Sequence, residues 1–485
     1  MLFNSYIFLF QFLPVVFVVF VLAAFYAGAK ARNLVLILFS IYFYSYTMPS
    51  DLWIVAFSIL TNYAVTRFFV KYPDRKRPLV VMGVIFNLTI LGCYKYLNFF
   101  ISILNHIPNL NIANVQTHLP LAISFFTFQQ ICFIVDQYRA SESQKVGFAR
   151  YAAAVLFFPH LIAGPLVEYR KLIPQFAQDI KWSKWLPRIY MGIFVFVLGL
   201  SKKVILADSL SPFVDLVFGP DVNLREVNYL ETVLGVISYT LQLYFDFSGY
   251  SDMAVGLGLM FGIILPFNFN SPYKATSIID FWRRWHITLS NFLREYLYIP
   301  LGGSREGVLK HYRNLFLTML IGGIWHGAGW HFVIWGSWHG VWICLVHFMR
   351  RNYPQVLSKI FGFRWVNQVL TLLVVVVGWV FFRAQDSDTA FEILNKLVRV
   401  DLTALYAQIV EVYAKTLYTS LYIMLGTCIV LAGPNTIAIY RFFRSLVFMK
   451  NRFLLLVLTG FCLAVLFNIC LLLMSKPVTF LYYQF

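Results

Sequence analysis

Apolar residues fall in long, nearly unbroken runs, without the short alternating or one-sided patterns of water-soluble strands and helices. Such runs lie near 6–27, 33–49, 52–70, 78–100, 119–138, 148–166, 188–207, 229–247, 253–267, 315–346, 365–383, 416–434 and 453–474. A membrane span needs about 20 largely apolar residues, and some runs are shorter or broken. The pattern therefore predicts about 11 to 14 membrane-embedded helices, re-entrant ones included. The fold class expected is an all-α polytopic integral membrane protein. No internal repeat is visible, which weakens a transporter built from inverted halves.

Composition agrees. Hydrophobic residues make up 60% and charged residues 12%, against roughly 45–50% and about 25% in soluble domains. The net charge of +18 in a soluble chain would point to nucleic acid; here the bases collect in short loops, as the positive-inside rule describes. Lys30 and Arg32 follow the first run, and Lys71, Arg75, Lys76 and Arg77 follow the third, whereas the loop between holds only Asp51. Alternation puts the N-terminus outside and both basic loops in the cytoplasm. Arg441, Arg444, Lys450 and Arg452 mark a later cytoplasmic loop. The N-terminus lacks a basic n-region and its apolar run is too long for a signal peptide, so it reads as an uncleaved first span. The six cysteines sit in apolar stretches without a CxxC pair, so neither a disulfide framework nor a zinc site is expected.

Residues 268–314 stand apart as the longest non-spanning stretch. Seven bases and three acids are interleaved there with Phe281, Trp282, Trp285, Phe292, Tyr296 and Tyr298. That mixture predicts amphipathic helices at the cytoplasmic interface or dipping into the bilayer.

Ionisable groups inside apolar segments are costly and mark function. His326, in IGGIWHGAGW, is flanked by glycines that allow close approach of backbone or ligand. A neutral imidazole there can take a proton from an attacking hydroxyl, or it is a core histidine bonded to a neighbouring helix; context alone leaves both readings open. His286, in FWRRWHITLS, reads on spacing as an interfacial polar residue. His326, His331 and His339 do not share one helical face, which argues against a metal or haem site. His160, between Pro159 and Gly164, marks a broken or re-entrant helix. Asp246 and Asp252 in LYFDFSGYSDMAVGLG are expected to be buried and ion-paired with Arg283 or Arg284, with a proton relay as the other reading. Gly302 and Gly303, with Arg305 close by, offer a phosphate-binding turn. Walker A, GxGxxG and GxSxG motifs are absent, which weighs against nucleotide hydrolysis, dinucleotide redox chemistry and a serine hydrolase.

FWRRWHITLSNFLREYLYIPLGGSR (281–305) and GGIWHGAGWHFVIWGSWHG (322–340) together resemble the membrane-bound O-acyltransferase (MBOAT) family, in its bacterial alginate and peptidoglycan O-acetyltransferase branch. LYFDFSGYSDMAVGLG, FFPHLIAGPLVEYR and the opening MLFNSYIFLFQFLP are similar as well, so the resemblance covers most of the chain. It implies one membrane domain over 1–485: N-terminal helices at 1–118, a catalytic core at 119–346 and C-terminal helices at 347–485, arranged as tilted helices around a central funnel. His326 matches the family's catalytic histidine and His286 its second conserved polar position; Trp325, Asp246 and Asp252 support them. Arg283, Arg284, Gly302, Gly303 and Arg305 are candidates for donor binding. No bound cofactor or metal is implied. The implied donor is acetyl-CoA in the cytoplasm, and the ester is made on an exported or cell-wall polysaccharide with a periplasmic acyltransferase partner, at the bacterial inner membrane. The competing readings are D-alanyl transfer to an envelope polymer and a transporter or flippase with a proton-relay histidine.

Overall fold

A computed structural model of the chain describes residues 1–116, 118–140, 146–355, 363–399, 405–447, 453–474 and 481. Among them the structure is helical, with no β-strand. Among the described residues, seven helices are long and apolar enough to cross a membrane: Phe8–Tyr26, Pro49–Lys71, Pro73–Leu104, Trp182–Phe218, Trp330–Asn352, Arg364–Arg383 and Leu456–Leu473. The bent pair Thr419–Leu431 and Thr436–Ser445, at 63°, makes an eighth if counted as one span. Their outward faces are aliphatic and aromatic, as lipid contact requires: Phe10, Val15, Val18, Leu22 and Phe25 are all exposed along the first.

Others of the apolar runs form helices that are broken or that carry buried polar groups. The apolar run at 119–138 folds as the helix Ile123–Arg139 but buries Gln129, Gln130 and Asp136. The run at 148–166 breaks into Phe148–Leu156 and a four-residue turn at Phe158–Leu161. Tyr229–Met260 is 32 residues long, yet it buries Gln242, Asp246, Ser248, Ser251 and Asp252. These helices carry internal polar bonds that suit a buried element. Arg32, expected in a basic loop, lies in the helix Gly28–Ser45 and is buried, its guanidinium donating to the carbonyls of Phe176 and Gln178 at 3.1 and 2.9 Å. Arg441 and Arg444 fall in the helix Thr436–Val447, while Lys450 and Arg452 lie outside the described residues.

The chain divides into two compact units interleaved in sequence. The first comprises Met1–Leu198, Tyr250–Pro266 and Leu446–Leu463. Within it Leu52–Lys71 and Lys76–Leu91 are joined by a reciprocal amide pair: Asn87 Nδ2 donates to Asn62 Oδ1 at 2.6 Å and Asn62 Nδ2 to Asn87 Oδ1 at 3.2 Å. Gly192 and Gly256 bring two further helices into backbone contact, a Cβ on either meeting the other's carbonyl oxygen at 2.6 Å. His160 is locked in place: its Nε2 donates to the Ala154 carbonyl (2.9 Å), which leaves Nδ1 to accept from Gln129 (2.8 Å). Both ring nitrogens are thus occupied beside the break at Phe157, which bears out the broken-helix reading of this stretch.

The second unit comprises Gly199–Gly249, Phe267–Ser445 and Ala464–Phe485. It holds all the candidate site residues except Asp252.

The amide pair gives a test of the first unit. Asn87→Leu leaves the Asn62 amide buried without its partner and should cost about 1–2 kcal/mol in detergent thermal unfolding. Adding Asn62→Leu should recover part of the loss, because both polar groups are then gone. Additive losses would show that the pair contributes no coupling.

Candidate active site

Glycines decide where His326 stands. The helices Val308–His326 and Trp330–Asn352 form a hairpin whose turn is Gly327–Gly329. A Cβ on Gly323 would stand 2.7 Å from the Gly336 Cα, and one on Gly336 would stand 2.6 Å from the Met319 carbonyl oxygen. Only paired glycines allow the two backbones this approach. A Cβ on Gly327 would run into the Phe332 ring, so the turn is covered as well. His326 is therefore the last residue of its helix, 6% exposed. Rings wall it in: Trp325 at 4.8 Å between centroids, Trp335 at 5.0 Å and Phe382 at 5.1 Å.

His286, read from its spacing as an interfacial polar residue, is enclosed by protein. It is 1% exposed, with the Phe247 ring edge-on at 4.7 Å. Its backbone is left-handed (φ 42°) at the start of the helix Ile287–Leu293. Asn268 Oδ1 accepts from the Thr288 backbone N–H at 3.1 Å, which identifies that atom as the oxygen. The His286 Nδ1 lying 3.2 Å from the same oxygen must then carry the proton. Nε2 is left with a lone pair and, among the described residues, no bonded partner. Burial pushes the imidazole pKa down to about 3, so the ring is neutral and its Nε2 is an acceptor of low basicity.

The two histidines are joined through tryptophans. Trp285, next to His286, packs on Trp379 at 4.8 Å; Trp379 stacks on Trp335 at 6.2 Å; and Trp335 meets His326. The same cluster takes in Trp282, 5.7 Å from Trp335. Behind Trp282 opens a cavity of about 630 Å³. Its lining is apolar in part (Ile287, Leu293, Leu315, Met319), with the hydroxyls and amide of Ser290, Thr318 and Asn291 among them, while Arg283, Arg294, Tyr298, His311 and His347 supply charged and titratable groups. Tyr298 is hydrogen-bonded to His311 Nδ1 at 2.7 Å.

Not every sequence candidate reaches this cavity. Arg283 is exposed and makes no ion pair among the described residues, whereas Arg284 is taken by Asp280 at 2.9 Å, four residues earlier. Gly302 and Gly303 do form a left-handed turn (φ 106° and 60°), but the Glu306 carboxylate lies against Gly302, and Arg305 points to solvent away from the cavity lining. Asp246 pairs with neither Arg283 nor Arg284, correcting the expectation. It binds Lys203 at 2.7 Å, Lys203 binds Asp208 at 2.8 Å, and the Leu481 N–H donates to the second Asp246 oxygen at 3.0 Å. Arginine 284 finds its acid locally, and the lysine on the facing helix supplies Asp246. Asp252 is buried in the first unit. Sequence reasoning held Arg294 only as one of the seven bases of the 268–314 segment and did not single out His311 or His347; the signal for Arg294 was present in LREYLYIP, a base set among aromatics in a wide helical turn at Arg294–Tyr298.

A family model described as the membrane-bound O-acyltransferase family matches residues 38–385. The chain is 41% identical over 432 residues to a peptidoglycan O-acetyltransferase of Helicobacter pylori, covering 82% of this chain and 80% of that protein. It is 41% identical over 424 residues to the probable alginate O-acetylase AlgI of Pseudomonas aeruginosa, covering 84% and 78%. A teichoic acid D-alanyltransferase of Bacillus subtilis is 26% identical over 291 residues, covering 56% and 70%.

Backbone contact at the hairpin is open to a direct check. Gly336→Val should destabilise the protein by about 1–3 kcal/mol through overpacking, read as a lowered thermal midpoint. Gly460→Val, where an added Cβ meets nothing within 4 Å, should leave the midpoint unchanged. Equal midpoints for the two variants would remove the close approach as a constraint.

Proposed function

The chain belongs to the membrane-bound O-acyltransferase family, and from that premise we propose that it transfers an acetyl group from cytoplasmic acetyl-CoA toward hydroxyls of a cell-envelope polysaccharide such as alginate or peptidoglycan. The observation that carries this reading is the succession of a cation-rimmed apolar cavity, an aromatic wall and a buried histidine at a helix end. The pantetheine arm suits the apolar interior. Arg283 and Arg294 at the rim suit the phosphates, because guanidinium groups pair bidentately with phosphate oxygens. His326 acts as general base: it takes the proton of the acceptor hydroxyl as that oxygen attacks the thioester carbonyl. The tetrahedral intermediate collapses with loss of the CoA thiolate, which recovers the proton from the imidazolium. His286, neutral with a free Nε2, orients the donor or relays the proton. On this reading the 268–314 segment faces the cytoplasm, and a periplasmic partner protein carries the acetyl group to the polymer. The higher identity and fuller coverage of the O-acetylating relatives favour acetyl over D-alanyl transfer.

Purified protein with labelled acetyl-CoA tests the chemistry. His326→Ala should cost about 10²- to 10⁴-fold in acetyl transfer with thermal stability retained; a variant keeping more than a few per cent of activity would remove His326 as the base. Arg283→Ala and Arg294→Ala should raise the acetyl-CoA KM with kcat little changed, while Arg284→Ala should act on stability. Topology has its own check: Ser304→Cys should react with impermeant maleimide in inside-out vesicles only, and labelling from the periplasm would reverse the donor side.

A further inference from the structure

His339 has no part in the chemistry above, yet it stands where donor cavity and base meet. It is completely buried. Four aromatic rings surround it: Trp335 at 4.9 Å, Trp282 at 5.2 Å, Trp379 at 6.3 Å and Phe281 stacked at 6.5 Å. The Trp282 indole N–H donates to its Nδ1 at 3.4 Å. An indole N–H can only donate, so Nδ1 must be the unprotonated nitrogen and the proton sits on Nε2. That nitrogen has no bonded partner among the described residues. It faces Gly378, where an added Cβ would come within 2.7 Å of it.

A site that needed only to fill space among aromatic rings would be filled as well by Phe, whose ring brings no polar atom of its own into the cluster. What the imidazole adds is the acceptor for Trp282. Trp282 lines the cavity, contacts Trp335, and Trp335 contacts His326. Without that acceptor the indole N–H would be free to turn into the cavity and seek a partner there.

We propose that His339 is a positioning residue, which by accepting the Trp282 N–H holds the Trp282–Trp335 pair as the wall between the donor cavity and His326. The proposal rests on the reading that this cavity takes the acyl donor. Through that wall His339 sets how deep the thioester sits relative to the base, without touching either.

Two readouts separate this from simple core packing. In protein labelled with ¹⁵N-tryptophan, the Trp282 Nε1–H resonance, assigned by its loss in Trp282→Phe, should shift in His339→Phe. In the same variant the kcat/KM for acetyl-CoA should fall ~10-fold, the scale of one lost hydrogen bond. His339→Asn, which places an acceptor close to the Nδ1 position, should recover most of both. The Trp282→Phe variant removes the same bond from the other side; it should match His339→Phe, and combining the two should cost no more than either alone. This arm also decides the matter if His339→Phe does not fold. Unaltered kinetics in a folded His339→Phe or Trp282→Phe, an unmoved Trp282 resonance, or fully additive losses would each overturn the proposal. If wild type itself does not turn over acetyl-CoA, the donor assignment fails, and the resonance still reports whether His339 holds Trp282.

Discussion

The approach of the Gly323 and Gly336 backbones fixes the register of the hairpin that carries His326, and the rest of the site is built on that register. Helices in lipid gain little from burying apolar side chains against each other, so close packing of small residues and internal hydrogen bonds must hold them. Here the glycines let one helix end level with Trp335 of the next. That places an imidazole at a helix terminus among three rings. Trp335 is then shared between His326 on one side and the Trp282, Trp379 and His339 cluster on the other. A side chain at either glycine would displace the base from its wall.

Much of this was legible in the sequence because it rests on motifs with a local cause. The glycines around His326 mark the turn and the close approach, and the Phe281–Arg305 segment is rich in rings because it packs into the cluster. The rest depends on contacts between distant residues. Spacing could not show that Asn268, eighteen residues earlier, fixes the tautomer of His286. Arginine 284 and Arg283 look equivalent in WRRW; an acid one turn earlier neutralises the first and leaves the second open at the cavity. Hydropathy windows do not separate lipid-facing spans from buried helices, because polar residues such as Gln129, Gln130 and Asp246 find partners inside the fold, and a window sees only chain composition.

The buried charges follow the same logic. Lys203 sits between Asp208 and Asp246, and a charge taken out of water is tolerable only with partners and hydrogen bonds of good geometry. The backbone N–H of Leu481 provides one of those bonds. This cluster and the Asn62–Asn87 pair do for each unit what a hydrophobic core does in water: they make one arrangement of helices cheaper than its neighbours.

The left-handed backbone at His286 has an evolutionary consequence. Positive φ admits glycine freely and asparagine or aspartate at small cost, and excludes β-branched residues. Any descendant that gives up this imidazole must first pass a conformational filter, before the chemistry of the replacement is tested at all. Asparagine passes it and brings a carboxamide to the place where the ring stood. Valine or isoleucine would unwind the start of the following helix. Drift at this position is therefore channelled toward small polar side chains, and the backbone confines the alternatives from which a new proton carrier or donor-orienting group can arise.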